Sequence, residues 1–369
     1  MKYKRIIIAA LSALLLFGAV ACGSGDDEPT AIVSAETPDP SDTKSPGEDS
    51  VISGSNAPAI TPGQMPDTTP MQTSDPTPAP TRPPKEGDVA TDRFPNYDTG
   101  ANANWSYQSD ELRIAITRHE DEDIRLVYYV ADIWIRNISS FRMGIGNGKF
   151  NTGREDPEHF AEREHAIFGV SGTMNSGLVI HNGEQIKKNV EKSSIRFRSG
   201  IVIIYRDGTV KTINRAKRQN YVYKTENAQH GGVWHALQFG PVLVQNGEIP
   251  TGLKKNERHP RIIFGYCEPG HYIVVAVDGR TKKSIGITEQ EMAELMVSLG
   301  CTEAMNLDGG NSAVMLFMGK TINTPSGKDR DGDGIGGRNI VDLLTFAEYD
   351  AEGNAPELSD VHAEKFDGE

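Results

Sequence analysis

Cysteine is nearly absent from this chain: Cys22, Cys267 and Cys301 are the three in 369 residues. Stability therefore cannot come from a dense disulfide framework. Cys267 and Cys301 read as buried free thiols, with pairing in an oxidising compartment left open. Positive charge is also in deficit. Lys and Arg total 38 against 51 Asp and Glu, a net charge of −13, which argues against nucleic acid or an anionic lipid surface as the main partner. Aromatic residues make up only 7% of the chain. Proline is scarce where a fold is expected, because thirteen of the 21 lie between Pro29 and Pro84.

What is present divides the chain into four parts. Residues 1–22 read as an export signal, with a charged head (Lys2, Lys4, Arg5), an apolar run from Ile6 to Val20, and small residues before Cys22. Ala19-Val20-Ala21-Cys22 resembles a lipoprotein box with Ala19 where Leu is usual, so Cys22 is the candidate lipidation site. The expected location is the outer face of the cell membrane, held there by the lipid anchor alone, or the exterior if the chain is cleaved nearby. Residues 23–92 are rich in Pro, Thr and Ser and cannot bury enough apolar surface to offset the entropy of ordering. They read as a disordered stalk. Residues 93–349 are long enough for one domain with a sizeable core. Residues 350–369 read as an acidic tail.

Within the domain, Leu112, Ile114 and Ile116 alternate with Arg113, Ala115 and Thr117, the pattern of a half-buried strand. A charged turn separates them from the β-branched and aromatic run Ile124 to Ile138, which predicts a hairpin. Ile201–Tyr205 and Thr209–Ile213, on either side of an Asp-Gly turn, predict another. A short helix is expected between Glu155 and His165. The most informative unit starts at His271–Val277, a strand ending in Asp278-Gly279-Arg280. Thr288 and Glu291 form a capping box, Met292, Leu295, Met296 and Leu299 make one apolar stripe, and Gly300 stops the helix. Ala304 to Leu307 is the next strand, ending in Asp308-Gly309-Gly310-Asn311-Ser312. This reads as a βαβ unit at about residues 272–307. The expected class is α+β: a single domain with a mixed, twisted central sheet flanked by few helices.

Parallel strands end on one side, so the unit places Asp278 and Asp308 on a common rim with Arg280. Gly309 and Gly310 permit a sharp turn or close approach of backbone to a ligand. Taken alone, Asp308-Gly309 is equally readable as an ordinary turn. Arg258-His259-Pro260-Arg261 taken alone is a solvated basic turn. Asp329-x-Asp331-x-Asp333-Gly334 matches the first half of a calcium loop, but Ile340 stands where the bidentate Glu belongs. A solvated glycine-rich loop is the favoured reading there. No cofactor is called for, and calcium on Asp329, Asp331 and Asp333 is the one metal candidate.

Together these stretches resemble the phosphodiester glycosidase family. The matching segments are Tyr128 to Ile133, Phe239-Gly240-Pro241, His259-Pro260-Arg261, Val277-Asp278-Gly279-Arg280, Gly286-Ile287-Thr288, Asn306-Leu307-Asp308-Gly309-Gly310 and Gly337-Arg338. The resemblance implies hydrolysis of a sugar-1-phosphodiester. On that reading Asp308 and Asp278 supply acid, base or nucleophile, and Asp278 has an alternative role in orienting Arg280. Arg261, Arg280 and Arg338 hold the phosphate. Asn306 and Ser312 hydrogen-bond sugar hydroxyls beside Gly309 and Gly310, with Ser171 and Asn175 on a facing loop. That loop departs from the family: Ser171-Gly172-Thr173-Met174 stands where an amide and a carboxylate are expected, with Asn175 displaced from either position. Asn311 and Ala313 also replace the usual third glycine and second serine.

Two main readings follow. One is a surface hydrolase acting on phosphodiester-linked sugars of envelope or extracellular glycans. The other is a non-catalytic relative that binds a phosphorylated glycan or cell-wall polymer, or scaffolds the envelope, through the same cleft. A calcium-dependent adhesion module built on the Asp329 loop is the third.

Overall fold

Runs of β-branched and aromatic residues at period two dominate the domain, and in the computed structural model they form three sheets. The structure describes residues 84–366, apart from 92, 96, 97, 99, 151, 175–177, 188–199, 215–223, 328–335 and 351. The largest sheet has eight strands in the spatial order Val242–Val244, Glu303–Asn306, Arg261–Glu268, His271–Val277, Leu126–Ile135, Leu112–Asp121, Trp105–Gln108 and Lys365–Phe366. A second, five-stranded sheet runs Glu184–Lys187, Val179–His181, Val233–Phe239, Gly200–Tyr205 and Val210–Ile213. The third, also of five strands, runs Lys320–Thr321, Met315–Phe317, Phe168–Ser171, Asp342–Phe346 and Phe141–Ile145.

Every pairing between these strands is antiparallel. The expected α+β class with a mixed sheet and a βαβ unit is therefore corrected to a mostly β fold of three antiparallel sheets. The reason is one intervening strand. The helix Glu289–Ser298 does connect His271–Val277 to Glu303–Asn306, but these two do not pair. Arg261–Glu268 lies between them and runs antiparallel to both. Two strands antiparallel to the same neighbour run parallel to each other. Their C-terminal ends consequently still share one side of the sheet.

Local chemistry explains the α-helices Pro157–Arg163 and Glu289–Ser298. Pro157–Arg163 begins with Asp156 as N-cap, its carboxylate accepting from the Glu158 and His159 amides, and proline sits in the first turn. Glu289–Ser298 starts at the reciprocal Thr288–Glu291 capping box and buries Met292, Leu295 and Met296 against the large sheet. Burying each such side chain stabilises the fold by about 1.5–3 kcal/mol. Between the sheets lies the main core, where Phe141, Phe168, Phe264, Tyr272 and Phe346 pack together. After Tyr349 the chain returns to the first sheet, where Lys365 and Phe366 pair with Ser106 and Trp105. No helix among the described residues is long and apolar enough to cross a membrane.

The second sheet carries a buried histidine pair. Both ring nitrogens of His181 are buried without a partner, and burial pushes its pKa down to about 3. His235 is held well below its usual value by burial and by His181. Its Nδ1 accepts from the Asn182 amide and its Nε2 donates to the Phe141 carbonyl. The unfolded chain binds protons near pH 6.5 that the folded chain refuses, so stability falls as pH drops from about 6.5 towards 3. For one such group the loss is roughly 1.4 kcal/mol per pH unit. Urea midpoints measured at pH 7, 5.5 and 4.5 should fall more steeply for the native chain than for His181→Phe. Equal slopes would show that His181 plays no part.

Candidate active site

The rim at the ends of His271–Val277 and Glu303–Asn306 is organised around Pro260. Val277 pairs with Arg261 and Asn306 with Ile263, so both strands end where Arg261–Glu268 begins. The two Asp-Gly turns flank that point. A Cβ on Gly279 would lie 2.8 Å from the Pro260 nitrogen, and one on Gly309 would lie 2.6 Å from the Pro260 carbonyl oxygen. Only glycine permits so close a backbone approach at each place. The Gly310 amide closes the arrangement by donating to the Pro260 carbonyl at 3.0 Å.

Asp308 and Asp278 follow these strand ends as buried carboxylates, 9% and 3% exposed. Burial raises the Asp308 pKa, opposed by a hydrogen bond from Ser312 and the positive charge of Arg338, with Asp342 adding to the rise. Arg338 Nη2 lies 3.6 Å from Asp308 Oδ2, and its Nε donates to Ser312 Oγ at 2.7 Å. Asp308, Ser312 and Arg338 thus form one connected cluster. Burial also lifts Asp278, to about 6, although the Thr324 amide and Asn323 Nδ2 both donate to its Oδ1 at 2.9 and 3.1 Å. Asn323 reaches further, donating to the Ala313 carbonyl and accepting from the Met315 amide. It ties the Asp278 turn to the segment that follows Ser312.

Arg280 has φ of 59°, a left-handed conformation that is unfavourable for a non-glycine residue and concentrates at functional sites. There its guanidinium donates to Asn311 Oδ1 at 3.0 Å and comes 3.5 Å from His259 Nδ1. Ser326 Oγ donates to the same Asn311 oxygen. Arg280 is thus oriented by Asn311 and His259, and not by Asp278. His259 is kept below its usual pKa by burial and by Arg261 and Arg280, which favours its neutral form. Arg261 is half-buried, and its Nε has no hydrogen-bond partner. Asn311, Pro325, Gly337 and Arg338 line a shallow recess beside this rim.

Other expected site residues turn inward. Ser171 is 1% exposed, and its hydroxyl reaches the Asp308 carbonyl at 3.5 Å. Thr173 is fully buried and donates through its amide and hydroxyl to Asp342, which also takes the Met174 amide. The Gly172 carbonyl accepts from the Asp308 amide. This loop supports Asp308 from behind and presents no side chain of Ser171 or Thr173 to the rim. Asn306 is likewise buried. It donates to the Gly240 carbonyl at 2.9 Å, while its Oδ1 is left without a partner. Asn175, the Asp329, Asp331 and Asp333 loop, and Cys22 lie outside the described residues. Sequence reasoning passed over His259, Asn311, Asn323 and Asp342. His259 and Asn311 stood inside quoted motifs and were there to be weighed. Asn323 and Asp342 carried no local signal, because their partners lie 45 and about 170 residues away.

Comparison with known proteins bears on this geometry. A family model described as phosphodiester glycosidase matches residues 151–342. The chain is similar to the SPbeta prophage-derived uncharacterized protein YomE of Bacillus subtilis, with 30% identity over 208 residues, 54% of this chain and 30% of that protein. It is also similar to the N-acetylglucosamine-1-phosphodiester alpha-N-acetylglucosaminidase of Bos taurus, with 26% identity over 200 residues, 53% of this chain and 33% of that one. The chain therefore spans about a third of the length of these relatives. Among solved structures, the zebrafish catalytic domain of the same named enzyme, auto-inhibited by its pro-peptide, superposes with a TM-score of 0.51 at 18% identity. That match covers 67% of this chain and 86% of that one, and it shows a shared fold.

Proposed function

The chain belongs to the phosphodiester glycosidase family, and from that premise we propose that it hydrolyses the glycosidic bond of a sugar-1-phosphodiester. The observation that carries the proposal is the Asp308–Ser312–Arg338 cluster: a buried carboxylate with a raised pKa, held beside a partly exposed guanidinium. Cleavage releases a phosphomonoester, a good leaving group. Neutralising its charge matters more than protonating it, and arginine's planar fork suits phosphate oxygens. Arg338 and Arg280 take that role. Asp308 acts on the sugar carbon or on the attacking water. Asp278, lifted to about 6, is the second carboxylate, able to hold or accept a proton near neutral pH.

On this reading the substrates are phosphodiester-linked sugars of envelope or extracellular glycans, with residues 1–22 as the proposed export signal and Cys22 as the proposed tether, while the end of the proposed 23–92 linker already belongs to the domain, since Val89 is buried in its core and bonded to Arg136. A specific observation favours the second reading, in which the cleft binds a phosphorylated glycan without turnover. The hydroxyls of Ser171 and Thr173, which stand where the family has an amide and a carboxylate, face protein groups. One experiment separates the readings. The native protein is incubated with a nitrophenyl sugar-phosphodiester, with and without calcium, while binding is followed in parallel. Release of free sugar and nitrophenyl phosphate supports the hydrolase. Saturable binding with no release supports the second reading.

Arg280→Gln tests the phosphate assignment. Losing a charge-assisted hydrogen bond of about 1.5–3 kcal/mol should lower kcat/KM by roughly 10- to 100-fold. The same variant should leave the thermal midpoint nearly unchanged, because Arg280 is exposed. Unaltered kinetics would remove Arg280 from the phosphate site.

A further inference from the structure

Away from the rim, the helix-bearing face of the large sheet holds the two remaining cysteines. Cys267 sits at the register shift near the end of Arg261–Glu268 and is partly exposed. Cys301 is buried in the turn after the helix Glu289–Ser298, its amide bonded to the Met296 carbonyl. Their Sγ atoms lie 3.8 Å apart, in van der Waals contact, and the Thr302 amide pins the turn to the Tyr266 carbonyl at 2.8 Å. Cys301 Sγ also lies over Gly265, where a Cβ would come within 2.7 Å of it.

A His–Asp pair shares this face. Ile273, Val275 and Val277 pack under the helix, and His271 has their parity on the strand. Asp132 has the parity of Tyr128 and Val130, which face the same way. His271 Nε2 is 3.0 Å from Asp132 Oδ1, and Trp134 stacks on the imidazole at 3.9 Å between ring centroids. Burial works against a charge on His271, but Asp132 raises its pKa overall, with Cys267 and Glu268 adding to the rise. The Cys267 thiol is held below its usual value, first by the hydrogen bond from Cys301 and then by His271, against burial and the charges of Asp132 and Glu268. Cys301, by contrast, is pushed well up. Cys267 is the partly exposed partner with the lowered pKa and Cys301 the buried one with the raised pKa, the asymmetry that dithiol exchange uses.

We propose that Cys267 and Cys301 form an oxidisable dithiol, in which Cys267 is the attacking thiol, Cys301 the resolving thiol, and His271, set by Asp132, the positioning residue. With a small-molecule disulfide as oxidant, the Cys267 thiolate attacks one sulfur and expels the other half as a thiolate. Cys301 then loses its proton, attacks Cys267 Sγ and expels the second half. Two thiols are produced for one protein disulfide, with no other reactant. The bond closes a loop from Cys267 to Cys301 that contains His271–Val277, the Asp278 turn and the helix. It fixes the end of the helix against the strand that starts the rim.

The test uses the reduced full chain and oxidised glutathione. Peptide mapping should recover Cys267 and Cys301 in one disulfide-linked species, with Cys22 unlinked to either, and the thermal midpoint should rise by roughly 5 °C or more. Cys301→Ser should stop at glutathione bound to Cys267, and His271→Asn should slow the first step and move its pH profile upward. Three results would overturn the proposal: both thiols remaining free to alkylation, glutathione persisting on native Cys267, or linkage through Cys22. An unchanged rate and profile in His271→Asn would overturn the role given to His271.

Discussion

Asp308→Asn is expected to reduce sugar-phosphodiester hydrolysis by at least about 10³-fold while leaving the fold in place. The loss belongs to kcat, because the side chain acts on the reacting bond while Arg280 and Arg338 hold the phosphate. The amide keeps the acceptor for the hydrogen bond from Ser312, and the backbone bond from the Asp308 amide to the Gly172 carbonyl is untouched. Far-ultraviolet circular dichroism and the urea midpoint should therefore match the native protein within about 1 kcal/mol. Substrate binding should persist in the variant, since Arg280 and Arg338 remain. A variant that loses binding along with turnover would place Asp308 in a structural role.

Asp278→Asn should move activity and stability in opposite directions. The Asp278 carboxyl has its pKa raised from 3.8 to about 6. The folded state thus favours the protonated form, and the ionised form costs stability as pH rises from about 4 through 6. At pH 7 the neutral amide removes that cost. The side-chain oxygen still accepts from Asn323 and Thr324, so a gain on the order of 1–2 kcal/mol is expected at pH 7. At pH 4, where the native carboxyl is itself protonated, the gain should vanish. Hydrolysis should fall by about 10²-fold or more. The limb of the native kcat/KM profile near pH 6 should disappear with it. Urea midpoints at pH 4 and 7, together with a kcat/KM profile, test both halves. A variant as active as the native chain, or destabilised at pH 7, would return Asp278 to a purely structural part.

The capping box, the apolar stripe, both hairpins and the two Asp-Gly turns were legible in the sequence because each is a local pattern with a local cause. The antiparallel architecture was not. Nothing within Arg261–Glu268 marks it as the strand inserted between His271–Val277 and Glu303–Asn306, because strand order is settled by packing between segments tens of residues apart. The common rim inferred from a βαβ unit nevertheless exists, since two strands flanking an antiparallel neighbour point the same way. Composition also could not tell which polar residues face outward. Ser171, Thr173 and Asn306 are small polar residues in loops or at strand ends, and they are buried by hydrogen bonds to Asp308, Asp342 and Gly240. Asn323 and Asp342 gave no signal because their work is to hold distant turns together.

The central claim is that the Asp308 rim turns over a sugar-1-phosphodiester. The most direct measurement follows an N-acetylglucosamine-1-phosphodiester by phosphorus and proton nuclear magnetic resonance in the presence of native protein and Asp308→Asn. The account predicts conversion to free sugar and phosphomonoester by the native protein, with none by the variant above the uncatalysed rate. An unchanged phosphodiester signal in the presence of native protein that demonstrably binds the substrate would contradict it.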